Sequence, residues 1–440
     1  MTKRRIKPRE RDAIIQALNA GVVPRIGIQH IAVGRSRETD ALLKDIDKIS
    51  DEGSAIRFII GEYGAGKTFF LNLVKQISLE KKLVVVSADL APDRRLHATG
   101  GQARNLYAEL MRNLSTRTKP DGGALQSIIE RFVSDAARKA KSENKEVEEH
   151  INLQLSDLED LVGGFDFAVV LSAYWRGYND GDDDLKSSAL RWLRAEYTTK
   201  TEARKDLGVR TIIDDASVYD HLKLMARFVE ITGYGGLMVS IDEMVNLYKL
   251  NSAQARNANY EQLLRIINDV LQGNSSGIGF VFGGTPDFLM DTRRGVYSYE
   301  ALQSRLAENQ FARNGLVDLT GPVVRLQSLT PEELYVLLAN IRRVFASGDE
   351  ANHLVPDEAM KAFMAHCNEK IGEAYFRTPR NTAKAFVNLL SVLEQNPGTE
   401  WADLLGATEI EVDVPLDDAL DEVPGAIADE SGDELTRFRL

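Results

Sequence analysis

Short, mostly apolar runs alternate along this chain with longer stretches in which apolar residues recur every three or four positions. The runs lie at 55–60, 83–88, 236–241, 279–284 and 322–326. Runs of this length, mostly apolar and bounded by turn residues, predict buried strands of a parallel sheet. Helical spacing occupies 38–49 and 69–77, where Phe70, Leu73, Val74 and Ile77 fall on one face. It returns at 103–114, 123–140, 146–161, 165–176, 184–196 and 218–231, with Pro120-Asp121-Gly122-Gly123 and Asn179-Asp180-Gly181-Asp182 as turns between. Three more helices are predicted at 331–346, 356–370 and 379–393, the first opened by Thr330 as cap with Glu333 three residues on.

This alternation predicts an α/β fold, a parallel sheet flanked by helices. The expected organisation is a basic arm at 1–20, a sheet-bearing core split between 21–94 and 216–328, and an α-helical insertion at 95–215. A helical subdomain at 329–396 and an acidic, largely disordered tail at 397–440 complete it. Tyr174, Trp175 and Trp192 in the insertion read as core. With Arg176, Arg191 and Arg194 nearby, a surface role toward DNA or a neighbouring subunit is the alternative.

Charge changes the picture in one respect. The chain of 440 residues carries a net −12, but eleven acidic and no basic residues lie in 409–434. The remainder is therefore close to neutral, which excludes a whole-surface nucleic-acid binder and allows a local basic face. The tail reads as a solubility device, as a docking peptide for a basic partner, or as a mimic of nucleic acid. Lys3, Arg4, Arg5, Lys7, Arg9 and Arg11 make the arm basic. One cysteine, Cys367, allows no internal disulfide and is expected of a cytoplasmic protein. No apolar stretch reaches the roughly 20 residues of a membrane span, so no membrane partner is expected. The six histidines lack the paired spacing of a metal site.

The chemistry is concentrated at strand ends. Gly61-Glu62-Tyr63-Gly64-Ala65-Gly66-Lys67-Thr68, continued by Phe69, is a complete G-x-x-x-x-G-K-[ST] loop between a predicted strand and a predicted helix. Glycines let the backbone N–H groups converge on phosphate oxygens, and the helix N-terminus favours negative charge. Lys67 is placed to reach the terminal phosphates, and the Thr68 hydroxyl to ligate Mg²⁺. The run at 236–241 ends in Asp242-Glu243, a metal-holding carboxylate followed by a water-polarising base. The run at 279–284 ends at Thr285-Pro286, a polar residue at the corresponding position. Arg293, Arg294, Arg305 and Arg313 follow, any of them suited to stabilise a transferring phosphoryl group, and Arg380 opens the last helix.

In this order the motifs resemble the AAA+ ATPases, nearest their origin-recognition-like branch. Softer features are Leu207-Gly208-Val209, the run from Thr232 to Leu237, Gly284-Thr285-Pro286, and Asp291-Thr292-Arg293-Arg294-Gly295 with Ser298-Tyr299. Together they resemble the ATP-binding proteins of BREX phage-defence systems, the BrxC/BrxD group, and the size resembles the shorter BrxD-like member. The resemblance implies ATP and Mg²⁺ as cofactors, with Lys67 on phosphate, Thr68 and Asp242 on the metal, and Glu243 as base. It implies Thr285 and Arg380 as sensors and Arg305, with Arg313 behind it, as the arginine acting on a neighbour's site. Pro24 and Ile28 would touch the base. The implied function is an ATPase coupled to a DNA transaction, working as a homo-oligomer beside other defence proteins such as a helicase-like partner. A nucleotide-dependent assembly switch or adaptor with little turnover is the alternative. Too few residues follow Gln395 for the winged helix that origin-recognition relatives usually carry.

Overall fold

Strands β1 (Ser54–Ile60), β2 (Val84–Asp89), β3 (Leu237–Asp242), β4 (Ile278–Gly284) and β5 (Val323–Arg325) form one sheet. The structure, a computed structural model, describes residues 5–312, 317–371 and 379–407. All five strands run parallel in the order β2-β3-β4-β1-β5. Every residue of β1 and β4 is buried, as central strands require; Arg57, the one charged residue among them, pairs with Asp45. Side chains alternate between two cores. Ile56, Phe58 and Ile60 enter one, while Ala55 and Ile59 enter the other.

The smaller core is closed by α2 (Ser36–Ser50) and α3 (Lys67–Glu80), through Leu42, Ile46, Ile49, Phe70, Leu71 and Val74. On the opposite face lie α10 (Val218–Ile231) and α12 (Ala253–Leu271), and the same core runs on without a break into the helices between β2 and β3. These are α4 (Gln102–Arg112), α5 (Leu125–Glu143), α6 (Val147–Glu159), α7 (Gly164–Asp180), α8 (Asp183–Leu193) and α9 (Lys200–Leu207). The segment expected as an insertion therefore shares its core with the sheet. Tyr174 and Trp192 are buried in it and Trp175 packs against it, so these aromatics are structural. The described helices α9 and α12 were not anticipated from spacing.

A third core joins α15 (Pro331–Phe345), α16 (Asp357–Ile371), α17 (Pro379–Gln395) and α18 (Trp401–Ala407). The Thr330–Glu333 capping box forms as expected, Thr330 Oγ1 accepting from the Glu333 N–H at 3.2 Å and Glu333 Oε2 from the Thr330 N–H at 3.0 Å. Two expectations are corrected here. Most of the basic arm is a helix, α1 (Pro8–Asn19), with Ile6 and Ile14 fully buried in this third core. Arg11 serves that packing: it donates to the Phe345 carbonyl at 3.0 Å and pairs with Glu394. Two buried Ile side chains contribute about 2 kcal/mol each, which holds this segment on the core. The acidic tail begins later than expected, because α18 packs Trp401 and Leu405 onto the same core. The eleven-carboxylate segment lies outside the described residues. Among the described residues no helix is long and apolar enough to cross a membrane.

Candidate functional site

Because the strands are parallel, β3, β4 and β1 deliver their C-terminal ends side by side, and the phosphate loop, Asp242-Glu243 and Thr285 follow those three ends. A cavity of about 430 Å³ opens there, within the range of small-molecule sites. One wall is Tyr63 to Phe70 with Asp242, Glu243, Gly283 and Thr285; the other is Leu18, Val22, Val23, Pro24, Ile31, Val33, Leu337, Arg380 and Ala383. The first wall is polar and follows the strand ends. The second is mostly apolar and is drawn from the segment after α1 and from the third core.

The loop turns into α3 through Gly66 as N-cap at φ 85, a left-handed conformation that favours glycine. Lys67 Nζ donates back to the Gly61 carbonyl at 2.9 Å and the Glu62 carbonyl at 3.0 Å. Gly61 and Glu62 thus hold the lysine and do not line the cavity itself. Burial pulls the Lys67 ammonium below its usual pKa, partly offset by Asp242, Glu243 and Glu62. The Thr68 hydroxyl donates to Asp242 Oδ2 at 2.8 Å, although 174 positions separate them. Gly283 makes room for this pair, since a side chain there would meet Asp242 Oδ1 at 2.2 Å.

Glu243 sits at φ 57, its N–H donating to Asp242 Oδ1 at 2.9 Å. Its side chain reaches solvent, yet the surrounding protein raises its carboxyl above the usual range, burial first and then Asp242 and Asp89. Asp89 is a residue that sequence reasoning missed. It ends β2 directly across from Asp242 in the sheet register, and its own carboxyl is raised by burial and by Asp242. The other omission is Arg35, which lines the cavity and donates to the carbonyls of Ala65, at 3.4 Å, and Gln327. Burial lowers its pKa, with Glu38 and Glu333 opposing. Gly34-Arg35 carries no strong signal in sequence; only the neighbouring loop gives the arginine its meaning.

Thr285 is buried and accepts from the Phe288 N–H at 3.3 Å, which leaves its hydroxyl proton to donate into the cavity. Arg380 lines the cavity and its guanidinium packs against Gly21. Pro24 is part of the apolar wall. Ile28 is not: it is fully buried away from the cavity, because the 3₁₀ turn at Ile28–His30 directs it inward, and Ile31 and Val33 stand in its place. Arg305, on α14 (Glu300–Leu306), lies outside the cavity, donating to Asn268 Oδ1 at 2.7 Å and the Ala301 carbonyl at 2.8 Å. Arg313 lies outside the described residues.

A hydroxyl and a carboxylate at one point are hard oxygen donors that fit Mg²⁺. Among the described residues no three His, Cys, Asp or Glu gather to hold a metal unaided. Such a donor pair suits a cation that keeps several waters and shares a substrate's phosphates. The family model for the BREX system ATP-binding protein BrxC/D matches residues 6–409. No curated protein matches the sequence.

Proposed function

The chain belongs to the BREX system ATP-binding protein BrxC/D family, and from that premise we propose that it is a Mg²⁺-dependent AAA+ ATPase whose turnover drives a DNA transaction in phage defence. The observation that carries this reading is the Thr68–Asp242 hydrogen bond beneath the phosphate loop, with Glu243 the next residue. Thr68 and Asp242 would hold the Mg²⁺, which would supply positive charge to offset that of a bound nucleotide's phosphates.

The chain's own residues supply the rest. Lys67 leaves its two loop carbonyls for the phosphates, and Thr285 donates toward the terminal phosphate or the attacking water. Glu243, raised in pKa yet open to solvent, orients that water and takes up its proton. The base rests on the apolar wall of Val22, Val23 and Pro24. Arg380 and Arg35 report on closure, since each bridges the cavity to a different element. Arg305, turned away from its own cavity, is available to a neighbouring subunit's site in a homo-oligomer.

Calorimetric titration and turnover assays test the reading together. Lys67→Ala loses ATP binding. Glu243→Gln keeps it and loses turnover by about 10²–10⁴-fold. Undiminished turnover in Glu243→Gln removes Glu243 as the base. Binding without turnover in the parent leaves the assembly switch as the function.

A further inference from the structure

Two short helices leave the cavity side by side. α11 (Val245–Tyr248) begins three residues after Asp242, through the left-handed hinge at Glu243. α13 (Pro286–Met290) begins at its cap, Thr285. Their parent strands β3 and β4 are hydrogen-bonded neighbours, in register to Ile241 and Phe282. A further backbone bond, Met244 N–H to the Gly283 carbonyl at 2.9 Å, continues the pairing past the strand ends. The two residues over the phosphate position therefore each sit at the root of a one-turn lever.

The levers are joined at their far ends. Tyr248 Oη, on the last residue of α11, donates to Asp291 Oδ2 at 3.0 Å, just past the end of α13. Asp291 Oδ1 accepts the backbone N–H groups of Arg293 at 2.7 Å and Arg294 at 3.2 Å. One carboxylate thus shapes the turn carrying both arginines and holds α11 to it. The Arg293 N–H and then the Tyr248 hydroxyl keep it below the usual carboxylate range. Arg294 is committed inward: Nη2 donates to the Tyr248 carbonyl at 3.2 Å, and its guanidinium lies 5.3 Å over the Tyr248 ring. Tyr260 Oη donates to the Arg294 carbonyl at 2.7 Å and fixes the turn from the sheet side. Arg293 is left exposed on the outer surface.

We infer that Tyr248 and Asp291 form a brace that couples Glu243 to Thr285 and passes the occupancy of the nucleotide site to the exposed arginine turn at 292–294. This rests on the ATP-binding reading above. Tyr248 is a positioning residue in it, acting on Glu243 through α11 and on the turn through Asp291. The brace closes a ring of Glu243, α11, Asp291, α13, Thr285 and the paired strands. A shift of either residue on meeting a terminal phosphate must therefore move the other, or move the turn.

Hydrogen–deuterium exchange on the full chain, with and without Mg²⁺ and a non-hydrolysable ATP analogue, tests this. In the parent, the analogue slows exchange in peptides covering the phosphate loop and also in those covering 286–299. Tyr248→Phe keeps the ring against Arg294 and removes only the donated hydrogen bond. It retains phosphate-loop protection and loses about tenfold of the protection at 286–299, the worth of a hydrogen bond to a charged acceptor. Asp291→Ala loses it too, and adding Tyr248→Phe to Asp291→Ala costs no further protection, because the Tyr248 hydrogen bond is already absent there. In turnover assays kcat falls with KM unchanged. Protection at 286–299 that is absent in the parent, or equal in Tyr248→Phe and parent, overturns the brace. Absence of protection at the phosphate loop in the parent overturns nucleotide binding as well, so the two failures are told apart.

Discussion

Glu243 is a non-glycine residue held in the left-handed region at φ 57, between a strand that ends in Asp242 and a helix that begins at Val245. Such a conformation costs on the order of 1–3 kcal/mol and persists only where its surroundings impose it. The Asp242 side chain bonding the Glu243 N–H, and the Met244 N–H bonding Gly283, impose it here. Strain at this point sets the carboxylate beside Asp242 and under the loop, where regular strand or helix geometry would not. Glu243→Gly should therefore stabilise the fold by about 1 kcal/mol while losing turnover. Denaturant unfolding and a steady-state assay on the same protein check the pair; an unchanged unfolding midpoint would mean that the conformation carries no strain. Asp89 and Arg35 belong to the same scale, since each is an ordinary charged residue in sequence and acquires a role only from a neighbour 153 or 30 positions away.

Elements decide how the cavity is walled. α1 is amphipathic, and its buried Ile14, together with Arg11 on the Phe345 carbonyl, seats it against α15 and α17. The chain then leaves α1 directly into Val22, Val23 and Pro24 on the apolar wall. Ile14→Ala should cost about 2–5 kcal/mol and weaken ATP binding with it. Calorimetry at a temperature where the variant is still folded separates the two effects, and full affinity there would detach α1 from the site. α10 makes a second prediction. Its His221 is buried near Trp192, at 5.6 Å between ring centres, and donates from Nδ1 to the Ser217 carbonyl at 2.8 Å. Burial pulls its pKa below 6.5, with Asp220, Asp214 and Asp166 opposing. The unfolded chain then binds this proton more readily, so the contribution is present above pH 6.5 and is lost as pH falls below it. Urea midpoints at about pH 7.5 and about pH 5.5 should differ less in His221→Gln than in the parent. Equal differences would exclude His221 as the titrating group.

For the whole molecule the decisive quantity is where charge lies. Eleven carboxylates and no cation in 409–434 leave the rest of the chain near neutral. A polyanionic segment competes with phosphates for any basic surface, and salt screens that competition over about 10 Å at 0.1 M. Removing residues 409–434 should raise DNA affinity at low salt, with a gain that shrinks as salt is added, and leave ATP turnover unaltered. Fluorescence-anisotropy titrations of both forms against one duplex decide it. Equal affinities at low salt would leave solubility or partner docking as the segment's role.

What the sequence determined by itself is whatever depends on contiguous residues. The mostly apolar runs marked the strands of a parallel sheet, because a strand covered on both faces does not alternate regularly between apolar and polar. The spacing of Gly61, Gly66, Lys67 and Thr68 marked the turn from β1 into α3, because that loop closes within eight residues. Thr330 and Glu333 marked a helix start for the same local reason. The α1 pattern was hidden behind its basic residues, whose charge reads as an exposed arm until Arg11 is found capping a distant carbonyl. Strand order was decided only by the tertiary structure, and with it the meeting of Thr68 with Asp242 and of Asp89 with Asp242. So was the displacement of Ile28 from the cavity in favour of Ile31 and Val33. These depend on which strand ends lie side by side and which face of a turn meets the core, and both are set by packing between segments far apart in the chain.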